Sequence, residues 1–167
     1  MKKMIFVAVG VLFILSSCVK KDSTCNYFDS TIVAPNSEIT ALHDSLVAHG
    51  ITNATLHPSG FYYTIVNPGT GNFVSNLCAS ITTTYKGSFF NGNVFDSTKS
   101  GDQAIFLLGQ VIPGWQKGIP LVKGGGSINL YIPPSLGYGA NAYPPTGTVI
   151  IPGGSNLVFN VNVISIK

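Results

Sequence analysis

Apolar positions recur along the chain at two spacings. Ile39, Leu42, Leu46 and Val47 follow one another at i, i+3, i+7 and i+8, which puts them on one face of a helix. Asn36-Ser37-Glu38 supplies N-cap chemistry and a first-turn acid ahead of this stripe, and Gly50 supplies a stop. The pattern predicts a helix of about three turns that needs a surface to pack on.

From Gly60 onward the period changes to two. Phe61–Val66 reads as a strand ended by the turn cluster Asn67-Pro68-Gly69-Thr70-Gly71. Ser80–Tyr85 alternates and is β-branched, a second strand. Asn91-Gly92 is a tight-turn signal, and Val94-Phe95 opens a third strand. Ala104–Leu108 is a short apolar stretch. Val111–Ile119 reads as one or two turns of helix around Trp115. Ser127–Ile132 and Asn156–Ile166 are further strands, with a Gly-, Pro- and Tyr-rich loop between them over Pro133–Pro152. The sum is an α+β plan: a largely antiparallel sheet with one short helix on its apolar face and a short helical extension before it. The long loop exceeds what a connection needs, which marks it as functional.

The N-terminus carries a different signal. Met1-Lys2-Lys3 is a basic start, Met4–Leu15 is apolar, and Leu15-Ser16-Ser17-Cys18 resembles a bacterial lipobox. The apolar run is too short to span a bilayer and suits a secretory signal. Residues 1–17 are therefore expected to be removed, leaving Cys18 lipidated as the new N-terminus and membrane anchor. Residues 18–59 read as a tether with the short helix, and 60–167 as the main domain. Export implies an oxidising compartment, so Cys25 and Cys78 are expected to pair; the alternative is two free thiols. Val19 lacks the acidic character associated with inner-membrane retention, so the expected location is the outer membrane, facing the periplasm.

Charge narrows the function. Charged residues are 9% of the chain, and its net charge of +3 falls to near +1 once Lys2 and Lys3 are removed. There is no basic patch to neutralise phosphates, so nucleic acid is excluded as a partner. No cysteine or histidine pair has metal-ligand spacing, and His43, His49 and His57 read as solvated or capping residues. Neither a metal nor another cofactor is expected.

Five segments, in order, resemble one family. Val94-Phe95-Asp96-Ser97-Thr98, Phe106–Gly118 with its Leu108-Gly109 and Gly114-Trp115 pairs, Ile132-Pro133-Pro134 through Gly137-Tyr138-Gly139, Ile150-Ile151-Pro152, and Leu157-Val158-Phe159 are similar to motifs of the FKBP-type peptidyl-prolyl isomerases. Gly60–Tyr63 and Pro68–Gly71 look like that family's first strand and turn. The resemblance implies a twisted antiparallel sheet wrapped around one short helix, and a pocket for proline. It places Trp115 at the pocket floor and Tyr85, Phe95, Val111 and Phe159 in the walls. It gives the Ile112 N–H and the Tyr138 hydroxyl to substrate carbonyls, Asp96 to the rim, and Ile151 to closure from the long loop. The implied partners are proline-containing unfolded or nascent exported polypeptides. A non-enzymatic chaperone or peptide-binding module using the same pocket is the alternative function. The pattern departs at Ala104, where many members carry a second aromatic, which implies a wider pocket. It departs also at Tyr143, where many have histidine. The pre-domain helix is too short for a dimer arm, so a monomer is expected.

Overall fold

The computed structural model describes residues 25–144 and 150–167. The expected leader, Cys18 and residues 145–149 lie outside the described residues.

Helix α1 spans Asn36–Ala48. Seven strands follow in chain order, with a second helix between the fifth and sixth. They are β1 (Thr55–Leu56), β2 (Tyr62–Asn67), β3 (Ser80–Ser88), β4 (Val94–Ser97), β5 (Ala104–Leu107), α2 (Pro113–Gly118), β6 (Ser127–Ile132) and β7 (Leu157–Ile166). All pairings are antiparallel, in the order β1-β2-β6-β7-β3-β4, with β5 also paired to β3.

The strands follow the period-two reading because each has one face to bury. Leu157, Phe159, Val161 and Val163 of β7 and Ile128, Leu130 and Ile132 of β6 point to one side and are buried. Helix α2 lies against that side. Its backbone approaches closely because Gly114 and Gly118 face the sheet: a Cβ on Gly114 would stand 2.7 Å from Ile132, and one on Gly118 2.5 Å from Leu130. Trp115 is thereby pressed into the concave face and is 5% exposed.

The opposite face is divided. Across its middle, Asn160 donates to Asn129 (2.9 Å) and Asn162 to Thr84 (3.2 Å), a polar ladder that needs no cover. At one end Tyr62, Tyr131 and Val158 form an apolar patch, and α1 covers it with Leu42 and Leu46. The apolar stripe therefore predicts the buried positions of α1, while its exposed Val47 lies off the contact.

The start of α1 differs from the expectation. Asn36 is the first helical residue rather than the cap; Pro35 holds that place, without side-chain capping. The Pro35 carbonyl accepts the N–H groups of both Glu38 and Ile39, so the first turn closes on the backbone. Glu38 instead turns its carboxylate to the Ser135 N–H at 2.9 Å, tying α1 to the start of the long loop.

Residues 25–35 are irregular, as read, yet they pack on the domain as a strap. Cys25 and Cys78 form a disulfide with Cα atoms 5.6 Å apart. Closing a loop across 53 residues stabilises the fold by about 4 kcal/mol on the chain-entropy account. The strap continues with Lys117 donating to the Ser30 carbonyl. It ends with the Ala34 N–H on the Ser59 carbonyl at 2.9 Å, where Ala34 is buried beside Gly60.

Candidate active site

The concave face opens at one end into a cavity of about 260 Å³. Its floor is the indole of Trp115, the second residue after the proline that opens α2. Three aromatic rings meet it edge to face: Tyr85 from β3 (5.4 Å between centroids), Phe106 from β5 (5.8 Å) and Phe159 from β7 (5.4 Å). Such T-shaped contacts are mutually favourable and fix ring orientation. The walls are thus rigid before any ligand arrives. The Trp115 Nε1–H is buried and has no partner among the described residues.

The polar groups lie at the rim. The Tyr85 hydroxyl donates to Asp96 Oδ2 at 2.6 Å. The Tyr85 backbone is in turn held by Thr98, whose Oγ1 accepts the Tyr85 N–H at 3.1 Å. Burial, followed by the hydrogen bond to Asp96 and the nearby carboxylate charge, pushes the Tyr85 phenol well above its ordinary pKa of 10.0. It stays a neutral donor. Tyr138 is raised as well, by burial first and then by Tyr143 and Asp96. Its ring lies 4.7 Å from that of Tyr143, which the long loop holds by paired backbone bonds with Ile151.

Val111 and Ile112 enter the cavity from the segment before α2. Gln116 reaches back from the helix and donates to the Val111 carbonyl at 2.8 Å, fixing that segment. The Ile112 carbonyl accepts the first helical N–H groups, from Trp115 and Gln116. Among the described residues, neither the Ile112 N–H nor the Tyr138 hydroxyl is engaged by another protein group.

Seven of the nine positions singled out from the sequence therefore line one cavity: Tyr85, Asp96, Val111, Ile112, Trp115, Tyr138 and Phe159. Phe95 and Ile151 do not. Phe95 packs against Phe159 of the wall, 5.5 Å from it and nearly perpendicular. Ile151 is 3% exposed and pairs through the backbone with Tyr143, which does line the cavity. Three lining residues were not among the nine: Phe106, Gln110 and Tyr143. Phe106 lies two residues beyond Ala104 on the same strand, hence on the same face, and fills the wall that the alanine leaves low. That alternation was the signal available for it. Gln110 belongs to a single 3-10 turn (Leu108–Gln110), which no periodicity announces.

These features define an apolar, aromatic-walled pocket on a sheet-and-helix fold, and comparison gives it a family. The model of the FKBP-type peptidyl-prolyl cis-trans isomerases matches residues 75–164, more than half of the chain. The chain belongs to this family. It is 35% identical over 153 residues to the FKBP-type peptidyl-prolyl cis-trans isomerase FkpA of Buchnera aphidicola, covering 89% of this chain and 59% of that protein. It is 37% identical over 111 residues to the outer membrane protein MIP of Legionella longbeachae, covering 66% of this chain and 46% of that protein. The crystal structure of FkpA from Escherichia coli superposes with a TM-score of 0.63 at 29% identity, over 79% of this chain and 63% of that one. The chain spans about half the length of the curated relatives it matches.

Proposed function

We propose that the protein is a peptidyl-prolyl cis-trans isomerase acting on Xaa-Pro bonds of exported polypeptides. The observation that carries this reading is the Trp115-floored cavity, walled by aromatic rings packed edge to face. Proline's tertiary amide has cis and trans forms close in free energy, separated by a barrier of ~18–20 kcal/mol that comes from amide resonance. Twisting the bond removes the resonance and makes the amide less polar. An apolar pocket of this kind holds the twisted form better than the planar one, which is differential binding of the transition state. The Ile112 N–H and the Tyr138 hydroxyl hold the flanking carbonyls, and Asp96 with Tyr85 sets the rim; these groups orient the chain. No nucleophile or proton transfer is required.

The test is exchange spectroscopy on an Ala-Leu-Pro-Phe peptide with residues 19–167, as wild type and as Trp115→Ala. Wild type is expected to accelerate exchange and the variant to lose most of that effect. Binding without acceleration would replace the enzyme with a peptide-holding module.

We infer further that Cys18 carries the lipid and that the protein works at the outer membrane, facing the periplasm. The Leu15-Ser16-Ser17-Cys18 sequence supports this, as does the outer-membrane designation of the Legionella relative. Cys18→Ala is expected to release the protein into the soluble fraction, and unchanged membrane association would refute it. The soluble form is expected to be monomeric by light scattering, since the helix before the sheet has 13 residues and is committed to covering its own sheet.

A further inference from the structure

The strap that precedes the sheet reaches the cavity. Tyr27, two residues after the disulfide-bonded Cys25, lays its ring on the backbone of Gly109. Its hydroxyl accepts a hydrogen bond from Gln110 Nε2 at 2.7 Å. Gln110 lines the cavity, and Val111 and Ile112 follow it directly. Gly109 is held from other sides as well: its N–H donates to the Leu77 carbonyl at 2.7 Å, beside Cys78, and its carbonyl accepts from Gln116 at 3.4 Å. A Cβ on Gly109 would lie 2.2 Å from Tyr27 Cγ. Gly109 is not among the positive-φ glycines, so the close approach of the strap, and not the backbone conformation, excludes a side chain there. Tyr27 lies ahead of residues 75–164, which the family model matches, and within the stretch similar to the Buchnera relative.

We propose that Tyr27 is a positioning residue of the active site: it holds Gln110 and the Gly109–Ile112 segment in the geometry that receives the peptide. The proposal rests on the isomerase reading for its kinetic consequence but not for its structural one. The Cys25–Cys78 bridge keeps Tyr27 in reach, since among the described residues the strap's next hydrogen bond to the body of the domain beyond Tyr27 is at Ser30. Tyr27 acts on binding, because the residues it holds border the substrate and do not touch the rotating bond.

The test uses residues 19–167 and the succinyl-Ala-Leu-Pro-Phe peptide. Tyr27→Phe keeps the ring on Gly109 and removes the acceptor. It is expected to raise KM about 3-fold, the worth of one ordinary hydrogen bond, with kcat unchanged. Tyr27→Ala is expected to raise KM about 10-fold. In a Gln110→Ala background, Tyr27→Phe is expected to add nothing, because the partner is gone. Effects of Tyr27→Phe and Gln110→Ala that simply multiply would overturn the proposal, as would a fall in kcat at constant KM. Two further readings separate it from the isomerase assignment. If wild type binds the peptide without accelerating exchange, the same pattern is read in peptide Kd. The Gln110 side-chain amide resonances are expected to shift in Tyr27→Phe with no peptide present, and their staying in place would overturn the proposal whatever the activity.

Discussion

Gly87, the last residue but one of β3, has no side chain because two rings occupy the space. A Cβ there would lie 2.7 and 2.8 Å from the ring of Phe95 and 2.9 Å from that of Phe159. Carbon atoms pack best at about 3.5–4.0 Å, so Gly87→Ala requires each ring to retreat by roughly 0.6 Å or more. Phe159 is buried and already meets Trp115 edge to face, 5.4 Å between centroids, so it yields only on the side of the cavity it lines. Phe95 is backed by Phe89 at 5.1 Å. Overpacking of this kind costs about 2 kcal/mol, which for a domain of this size lowers Tm by roughly 6–10 °C. The displaced Phe159 also enters the cavity. A shift approaching 1 Å in a positioning wall is expected to lower kcat/KM at least ~10-fold. Thermal unfolding and the peptide exchange assay read the two effects on the same sample. Adding Phe95→Leu removes ring atoms from the crowded side, so the double variant is expected to recover more than half of the lost Tm. A Gly87→Ala protein with unchanged Tm and unchanged turnover would show that the rings yield freely and that the wall is not rigid.

Other perturbations address the rim, the strap and the core separately. Tyr85→Phe removes the 2.6 Å bond to Asp96 while leaving the ring against Trp115, and is expected to lower kcat/KM about 5-fold with less than ~1 kcal/mol change in stability. His57 is held below its ordinary pKa of 6.5 by burial and by the charge of Lys117. Its Nδ1 accepts the Ser59 N–H at 3.1 Å, a bond available to the neutral ring alone. The folded state therefore binds this proton less readily than the unfolded chain. Its stabilising contribution is full above about pH 6.5 and is lost as pH falls further. His57→Gln is expected to flatten the decline in Tm between about pH 7 and pH 5, and an unchanged slope would refute this. Replacing Cys25 and Cys78 together by serine is expected to lower unfolding free energy in urea by about 4 kcal/mol. Leu42→Ala, at the centre of the contact between α1 and the sheet, is expected to cost about 3 kcal/mol by the same measurement.

The sequence was legible wherever a period had a face to bury. Ser127–Ile132 was read to the residue, and β7 and α1 to within one or two positions, because alternation or a helical stripe continued through them. The two-residue strand β1 was not visible, since Thr55-Leu56 has too few positions to show a period and is exposed throughout. At the site, motif register brought seven lining residues together, yet it could not tell a residue that lines a cavity from one that supports the lining. Phe95 and Phe159 are both aromatic strand residues in contact with each other, and only the three-dimensional packing puts Phe159 in the lining. The strap was read as a tether because Cys25–Pro35 carries neither period. Its first anchor is the expected Cys25–Cys78 bridge, while the lysine contact and the aromatic ring on a glycine that continue it leave no local pattern.

The pairing order has a kinetic meaning. β7 lies between β6 and β3 and pairs along its length with both, yet among the described strands it is the last in chain order. Until residues 157–166 are present, β3 with its β4 and β5 neighbours and β6 with β2 are two separate ribbons, neither able to bury its apolar face on the other. The contacts that close the sheet join positions far apart in sequence, and such topologies fold slowly, over milliseconds to seconds. Phe159 sits on that same closing strand, so the cavity and the sheet must be completed in one event. The ribbon of β3, β4 and β5 carries Tyr85, Asp96 and Phe106, and the cavity lacks its Phe159 wall until β7 is in place.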